Sequence, residues 1–247
     1  MAIAAEFFQN TSENRRQRSG FAGLALAALS LLVAANSLAN DSSTDASGEL
    51  VPLKPKLPAP AFVGTPKDIP AGSNIEQPSD KPRPPLMIPR DAVNIAPAAK
   101  LTSSDPNAKP ETLAKITDGV KEAEDANVAL LRKGVQYIQF DFGGPREIFA
   151  IVVWHAHETP KVYHGVVAQV ADDADFTMNV RTLFNNDQAN ADGFGAGTDR
   201  EYFETFEGKT IDAKGVKARC VRLYSKGSTD GSFNEYTEVE IYGRPIK

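Results

Sequence analysis

From Gln136 to Tyr242 apolar residues recur at every second position in short runs, and glycine, proline or a polar cluster closes each run. A period of two belongs to a strand with one face buried. Residues 136–142 (QYIQFDF) set Ile138, Phe140 and Phe142 against Tyr137, Gln139 and Asp141. Residues 236–242 (YTEVEIY) set Thr237, Val239 and Ile241 against Tyr236, Glu238, Glu240 and Tyr242. The run 147–154 (EIFAIVVW) is apolar almost throughout, as a strand buried on both faces must be. Further strands are predicted over 162–170, 200–206 and 218–224, with only 109–115 and 127–132 partly helical. Short strands at this spacing predict an all-β sandwich or barrel and exclude a βαβ architecture.

The N-terminal half has a different texture. Arg15, Arg16 and Arg18 precede an apolar run over 21–35, and small residues follow at Ser37 and Ala39. This order predicts a secretory signal over 1–39, cleaved after Ala39 so that the mature chain starts at Asn40. The run is shorter than the ~20 residues a spanning helix needs; left uncleaved, it would serve as an anchor. Residues 40–93 are rich in proline, as in Lys54-Pro55-Lys56-Leu57-Pro58-Ala59-Pro60 and Lys81-Pro82-Arg83-Pro84-Pro85. Proline at this density forbids helix and central strand. The segment is read as an extended linker or stalk, with Leu86, Met87 and Ile88 able to pack back onto the domain. The alternative is a ligand for a proline-recognition domain.

Residues 94–247 then form one folded domain. The net charge of −5, with basic residues scattered, excludes a nucleic-acid partner. The single cysteine, Cys220, rules out an internal disulfide, so stability must come from the core or from a bound ion.

Four short motifs occur in order: Lys115-Ile116-Thr117-Asp118-Gly119, Tyr137-Ile138-Gln139-Phe140-Asp141-Phe142-Gly143, Ala218-Arg219-Cys220-Val221-Arg222-Leu223 and Thr237-Glu238-Val239-Glu240-Ile241-Tyr242-Gly243. Together they resemble the discoidin family, also called coagulation-factor C-type domains, over about Asn94 to Gly243. The resemblance implies a jelly-roll β-sandwich of the galactose-binding-like kind. The chain departs from that family in lacking a tryptophan soon after the Asp-Gly turn and in having cysteine at 220, where an aromatic is common. The resemblance further implies a structural calcium site, in which Asp118 and Glu238 supply side-chain oxygens and Lys115, Val120, Ala123 and Thr237 supply backbone carbonyls. A hard cation of this type takes six to eight oxygens. Alanine at 123 removes the hydroxyl that relatives often place there. The competing reading makes Asp118 an Asx-turn residue and sets Glu238 in solvent on an edge strand.

His155, His157 and His164 fall close together, but no third ligand stands at short spacing, which disfavours a catalytic metal. His155, His157 and Tyr163 are instead read as ligand-binding residues around an inter-strand loop, where they would meet sugar hydroxyls. Phe194, between glycines in the polar loop 185–200, is a candidate to stack on a sugar or to fold back onto the core. No nucleophile elbow, metalloprotease motif or phosphate loop is present. The chain is therefore expected to be an exported, non-catalytic module that binds a glycan or a surface protein. The alternative is a protein-interaction or scaffold subunit of an extracellular or periplasmic assembly.

Overall fold

The computed structural model describes residues 48–62, 73–77, 81 and 83–246. The predicted signal over 1–39, its cleavage point and part of the proline-rich segment lie outside the described residues. The elements run in the order β1 (Leu50–Pro52), β2 (Met87–Pro89), β3 (Val93–Asn94), β4 (Lys100–Ser103), α1 (Pro110–Ala114), β5 (Ala129–Leu131), β6 (Gln136–His155), β7 (Val167–Ala171), β8 (Arg181–Asn185), β9 (Lys209–Ser225) and β10 (Asn234–Pro245). Short 3-10 turns lie at Ala96–Ala98 and Lys115–Thr117.

Every pair of these strands is antiparallel. One eight-stranded sheet has the order β3-β10-β6-β9-β7-β8, with β4 added to β6 and β5 to β10. Its two long strands turn corners. The start of β6 pairs with the end of β9 and with β4, and after a register break between Asp141 and Arg146 the rest of β6 pairs with β10 and the start of β9. Gly143, at φ +71°, supplies the left-handed backbone that this corner needs. Bent through these corners, the sheet closes on itself as a jelly-roll β-sandwich.

The alternation read from the sequence sets the core. Ile138 and Phe140 from the start of β6, Ile151 and Val153 from its end, Val221 and Leu223 from β9, and Val239 and Ile241 from β10 meet in one cluster. The opposite face of the second half of β6 carries Ala150, Val152 and Trp154, and these pack with Leu53 and Ile88 in a second cluster. Leu53 and Ile88 come from the proline-rich segment. There β1 pairs with β2, and the Leu53 N–H donates to the Leu86 carbonyl at 2.7 Å. These described stretches thus lie on the sandwich as a cover, and Leu86 and Ile88 pack back onto the domain.

Trp154 is the centre of that second cluster. It is wholly buried, and its Nε1–H donates to the Phe206 carbonyl at 2.9 Å. Gly208, at φ +66°, passes so close that a Cβ there would lie 2.7 Å from the indole.

Three predicted elements differ. Residues 127–132 hold the strand β5 and no helix, because Ala129 and Leu131 alternate inward beside β10. The strand predicted over 162–170 begins only at Val167. Residues 200–206 form only isolated bridges, Ile75 to Glu201 and Val162 to Phe203. Their alternation arises because Tyr202 and Glu204 point into the interior from an irregular segment. The strand β8 was not predicted, since Arg181-Thr182-Leu183-Phe184-Asn185 has a single deeply buried apolar side chain, Phe184.

Trp154→Ala empties the space between cover and sheet and is expected to cost about 3–5 kcal/mol. In a chain of this size that lowers the melting temperature by about 2–4 °C per kcal/mol. Leu130→Ala, at a half-exposed position, is expected to stay within about 0.5 kcal/mol. Thermal melts of the two variants check this, and similar losses in both would show that the cover is not held by the tryptophan.

Candidate functional site

Strand pairing gathers four loops at one end of the sandwich. Gln136 pairs with Ser225, Tyr236 with His155, and Val167 with both Asn185 and Tyr224. The segments 132–135, 156–166, 186–208 and 226–233 therefore leave the sheet side by side. Hydrogen bonds tie them together. The His164 N–H donates to the Gly227 carbonyl at 3.0 Å, the Lys226 N–H to the His164 carbonyl at 2.8 Å, and the Asn186 N–H to the Val166 carbonyl at 3.1 Å. From the start of β10, the Asn234 amide donates to the carbonyls of Arg132 and Gly134.

A buried polar layer supports these loops, and it contains three of the residues predicted to meet a ligand. His155 and Tyr163 are fully buried and His157 is 1% exposed. The rings of His155 and Tyr163 stack with centroids 4.2 Å apart, and Tyr236 lies 4.5 Å from the imidazole. His155 Nδ1 meets Glu204 at 2.9 Å, and the Tyr163 hydroxyl donates to Glu235 at 2.9 Å. His157 Nδ1 lies 3.1 Å from the His155 carbonyl. The exposure expected of His155, His157 and Tyr163 is not found: β6 runs on to His155, whose side chain turns inward, and the segment after it is covered. Burial and the hydroxyl's place beside Glu235 push the Tyr163 pKa far above its ordinary value. Phe194 stands apart from them. Half-buried, its ring lies 4.3 Å from Tyr224, so it folds back onto the sheet.

The open surface lies above this layer, in two adjoining clefts of about 660 and 430 Å³ that share His164 and Lys226. The first is lined by Lys133, Ser228, Thr229 and Asp230, the second by Asn186, Asp187, Asp192 and Glu201. Two ion pairs lie here. His164 Nδ1 meets Glu201 at 2.7 Å, and Lys226 donates to Asp192. Asp187 accepts the N–H groups of Ala191 and Asp192 at 3.0 and 2.8 Å. Phe233, next in the chain to the lining residue Ser232, is 44% exposed, with the Lys133 ammonium 5.2 Å above its ring. The arrangement offers many donors and acceptors, with one flat apolar face nearby. Phe233 was missed in the sequence, although an aromatic just after the turn Asp230-Gly231-Ser232, between two predicted strands, marks a loop tip.

The predicted cation ligands lie elsewhere, where the segment 115–123 crosses β10. Asp118 Oδ1 accepts the Val120 N–H at 2.8 Å, which makes it an Asx turn as well. Glu238 Oε2 accepts the Gly119 N–H at 3.0 Å. Glu238 is 1% exposed and does not face solvent as the competing reading required. Burial pushes its pKa up to about 8, and the charges of Glu240 and Asp118 add to the rise. Lys115 lies in the preceding turn with its ammonium on the Val128 carbonyl, and the Thr237 hydroxyl donates to the Trp154 carbonyl. Val120 and Ala123 follow Asp118 on the same segment. No cluster of three or more His, Cys, Asp or Glu side chains suited to a metal occurs among the described residues. A hard cation held partly by carbonyls needs no such cluster. A carboxylate of a buried residue, whose second oxygen takes no hydrogen bond among the described residues, next to another carboxylate, fits such an ion.

No family model matches the chain, and no curated protein is similar to it. Among solved structures it is similar to a family 89 glycoside hydrolase from Clostridium perfringens, at TM-score 0.45 and 15% identity over 62% of this chain and 15% of that one. It is also similar to a fucose-binding module of Streptococcus pneumoniae, at TM-score 0.41 and 15% identity over 61% of this chain and 97% of that one. A chitosan-binding module from a Paenibacillus chitosanase/glucanase matches at TM-score 0.41 and 16% identity, over 61% and 99% of the two chains. The chain spans only 15%, 32% and 14% of the first three structures matched.

The bond to Glu201 raises the His164 pKa above the ordinary 6.5, against a smaller opposing effect of burial. Because the folded value is the higher one, the pair stabilises the fold below about pH 6.5 and the contribution is lost as pH rises through the folded value. Exposure of the imidazole keeps that contribution small. An NMR titration should place the His164 midpoint above 6.5, and Glu201→Gln should return it to the ordinary range. An unshifted wild-type midpoint would dissolve the pair.

Proposed function

We propose that this chain is an exported, non-catalytic binding module that holds a neutral carbohydrate in the loop cleft, against Phe233. The observation that carries this reading is a cleft rich in donors and acceptors, in which His164 pairs with Glu201 and Lys226 with Asp192, near an exposed aromatic ring. A sugar presents hydroxyls that both donate and accept, and a C–H face that covers a ring. Paired charged groups keep lone pairs and protons for those hydroxyls, and hydrogen bonds to charged groups are the stronger ones. The same pairing disfavours catalysis, since Asp187, Asp192 and Glu201 are already engaged by backbone amides, Lys226 and His164. Export rests on the signal read over 1–39. The second reading, a scaffold subunit meeting a protein, draws on the apolar side chains Leu50 and Met87 that the cover turns outward.

A glycan array followed by calorimetry tests the proposal. Phe233→Ala is expected to weaken the sugar found by about tenfold, equivalent to about 1.4 kcal/mol, with melting unchanged because the ring is exposed. Binding to no glycan, together with recovery of a stable protein complex, would favour the scaffold reading.

The proposal includes a structural calcium ion at Asp118 and Glu238, which would clamp the start of the domain to its end. An ion that binds only the folded chain stabilises it by mass action, by about 2.7 kcal/mol at 100 times its Kd. The protein should melt several degrees higher in calcium than in chelator, and Asp118→Ala should remove the difference. Identical wild-type melts, with no ion by elemental analysis, would defeat the calcium reading.

A further inference from the structure

Next to the two proposed calcium ligands lies a buried cation that belongs to the chain itself. Lys121 is 4% exposed and donates to Glu240 Oε1 at 2.7 Å, across 119 residues of sequence. Its ammonium also lies 4.8 Å above the Trp154 ring. The Tyr242 hydroxyl donates to the other oxygen of Glu240 at 2.7 Å, so that carboxylate is held from both sides. Glu238 and Glu240 are two apart on β10 and share a face. The charges of Lys121, Glu240 and Asp118 all reach Glu238.

Counting these charges is informative. Three carboxylates and one ammonium meet here, and the direct bond assigns the ammonium to Glu240. Asp118 and Glu238 are left without a cationic partner among the described residues, two carboxyl groups that a divalent ion would draw into the charged form. Were Lys121 to turn to Glu238 instead, it would supply the positive charge itself and occupy the carboxylate that the ion needs. Attraction between charges at contact distance in a partly buried site is large enough for that exchange to compete with a bound ion.

We propose that Glu240 is a positioning residue that holds the Lys121 ammonium away from Glu238, and so decides whether the site takes a divalent cation or closes on the chain's own lysine. This rests on the calcium reading above. Calcium titration by calorimetry on the full chain tests it, with wild type, Glu240→Gln, Lys121→Met and the double variant. Glu240→Gln should raise the calcium Kd about tenfold or more, although Glu240 is not a ligand. Adding Lys121→Met to it should bring the Kd back to within about threefold of wild type. Lys121→Met alone should bind calcium at least as tightly as wild type, and it decides the matter should Glu240→Gln not fold. An unchanged Kd in Glu240→Gln, a double variant as weak as Glu240→Gln, or weaker binding by Lys121→Met would each overturn the inference while wild-type binding keeps the calcium reading intact. Wild type that takes no calcium would overturn both.

Discussion

The second half of β6 has no polar face, and the rest of the structure is arranged around that constraint. Ile151 and Val153 enter the main core, and Ala150, Val152 and Trp154 point to the opposite side. Left in water, that second face would forfeit about 1.5–3 kcal/mol for each large side chain and would present an apolar patch of the kind that recruits other chains. The proline-rich segment removes it from solvent. Proline suits this task because the cover needs extended backbone and few internal hydrogen bonds, and the short β1–β2 pairing is enough to fix its register.

The loop end depends on a second constraint, a buried polar layer. His155, Tyr163 and Tyr236 pack ring on ring, and Glu204 meets the imidazole by a hydrogen bond. His155 Nε2, Glu204 Oε1 and the Tyr202 hydroxyl are buried with no hydrogen-bond partner among the described residues. A conventional apolar layer would be more stable but would not fix the orientation of the strand ends. Here the bonds from His155 to Glu204, and from Tyr163 to Glu235, set where the segments 156–166 and 200–206 leave the sheet.

Sequence periodicity made the sheet legible because it reports which side chains share a face. Ile138, Phe140, Val239 and Ile241 all lie in the core as their alternation requires. Periodicity does not report what covers the other face. Glu238 and Glu240 alternate as solvent-facing residues should, yet both are buried, because the segment 118–121 from far away in the chain lies across them. The same blindness placed His155, His157 and Tyr163 on the surface: a polar residue after a strand reads as exposed, and only the folded chain shows the loops closing over it. The run 147–154 was the exception, since an apolar pattern on both faces itself announces a cover without naming it. Residues 200–206 misled in the opposite sense, as inward alternation of Tyr202 and Glu204 needs no ladder when the neighbouring loops supply the hydrogen bonds.

Trp154 joins these parts physically. One side of its environment is the cover, through Leu53 and Ile88. Its Nε1–H holds Phe206, at the end of the loop that also carries Asp187, Asp192 and Glu201 to the cleft. The Lys121 ammonium rests near its ring, and the Thr237 hydroxyl, beside Glu238, bonds its carbonyl. A shift of the indole would therefore be felt at the cover, at the root of the cleft loop and next to the proposed cation ligands. Packed interiors transmit such displacements because they have no slack to absorb them. Cover, cleft and cation segment are for this reason parts of one packed structure, and the proline-rich stretch also reaches the cleft itself, where Asn74 lines it and Ile75 bridges Glu201.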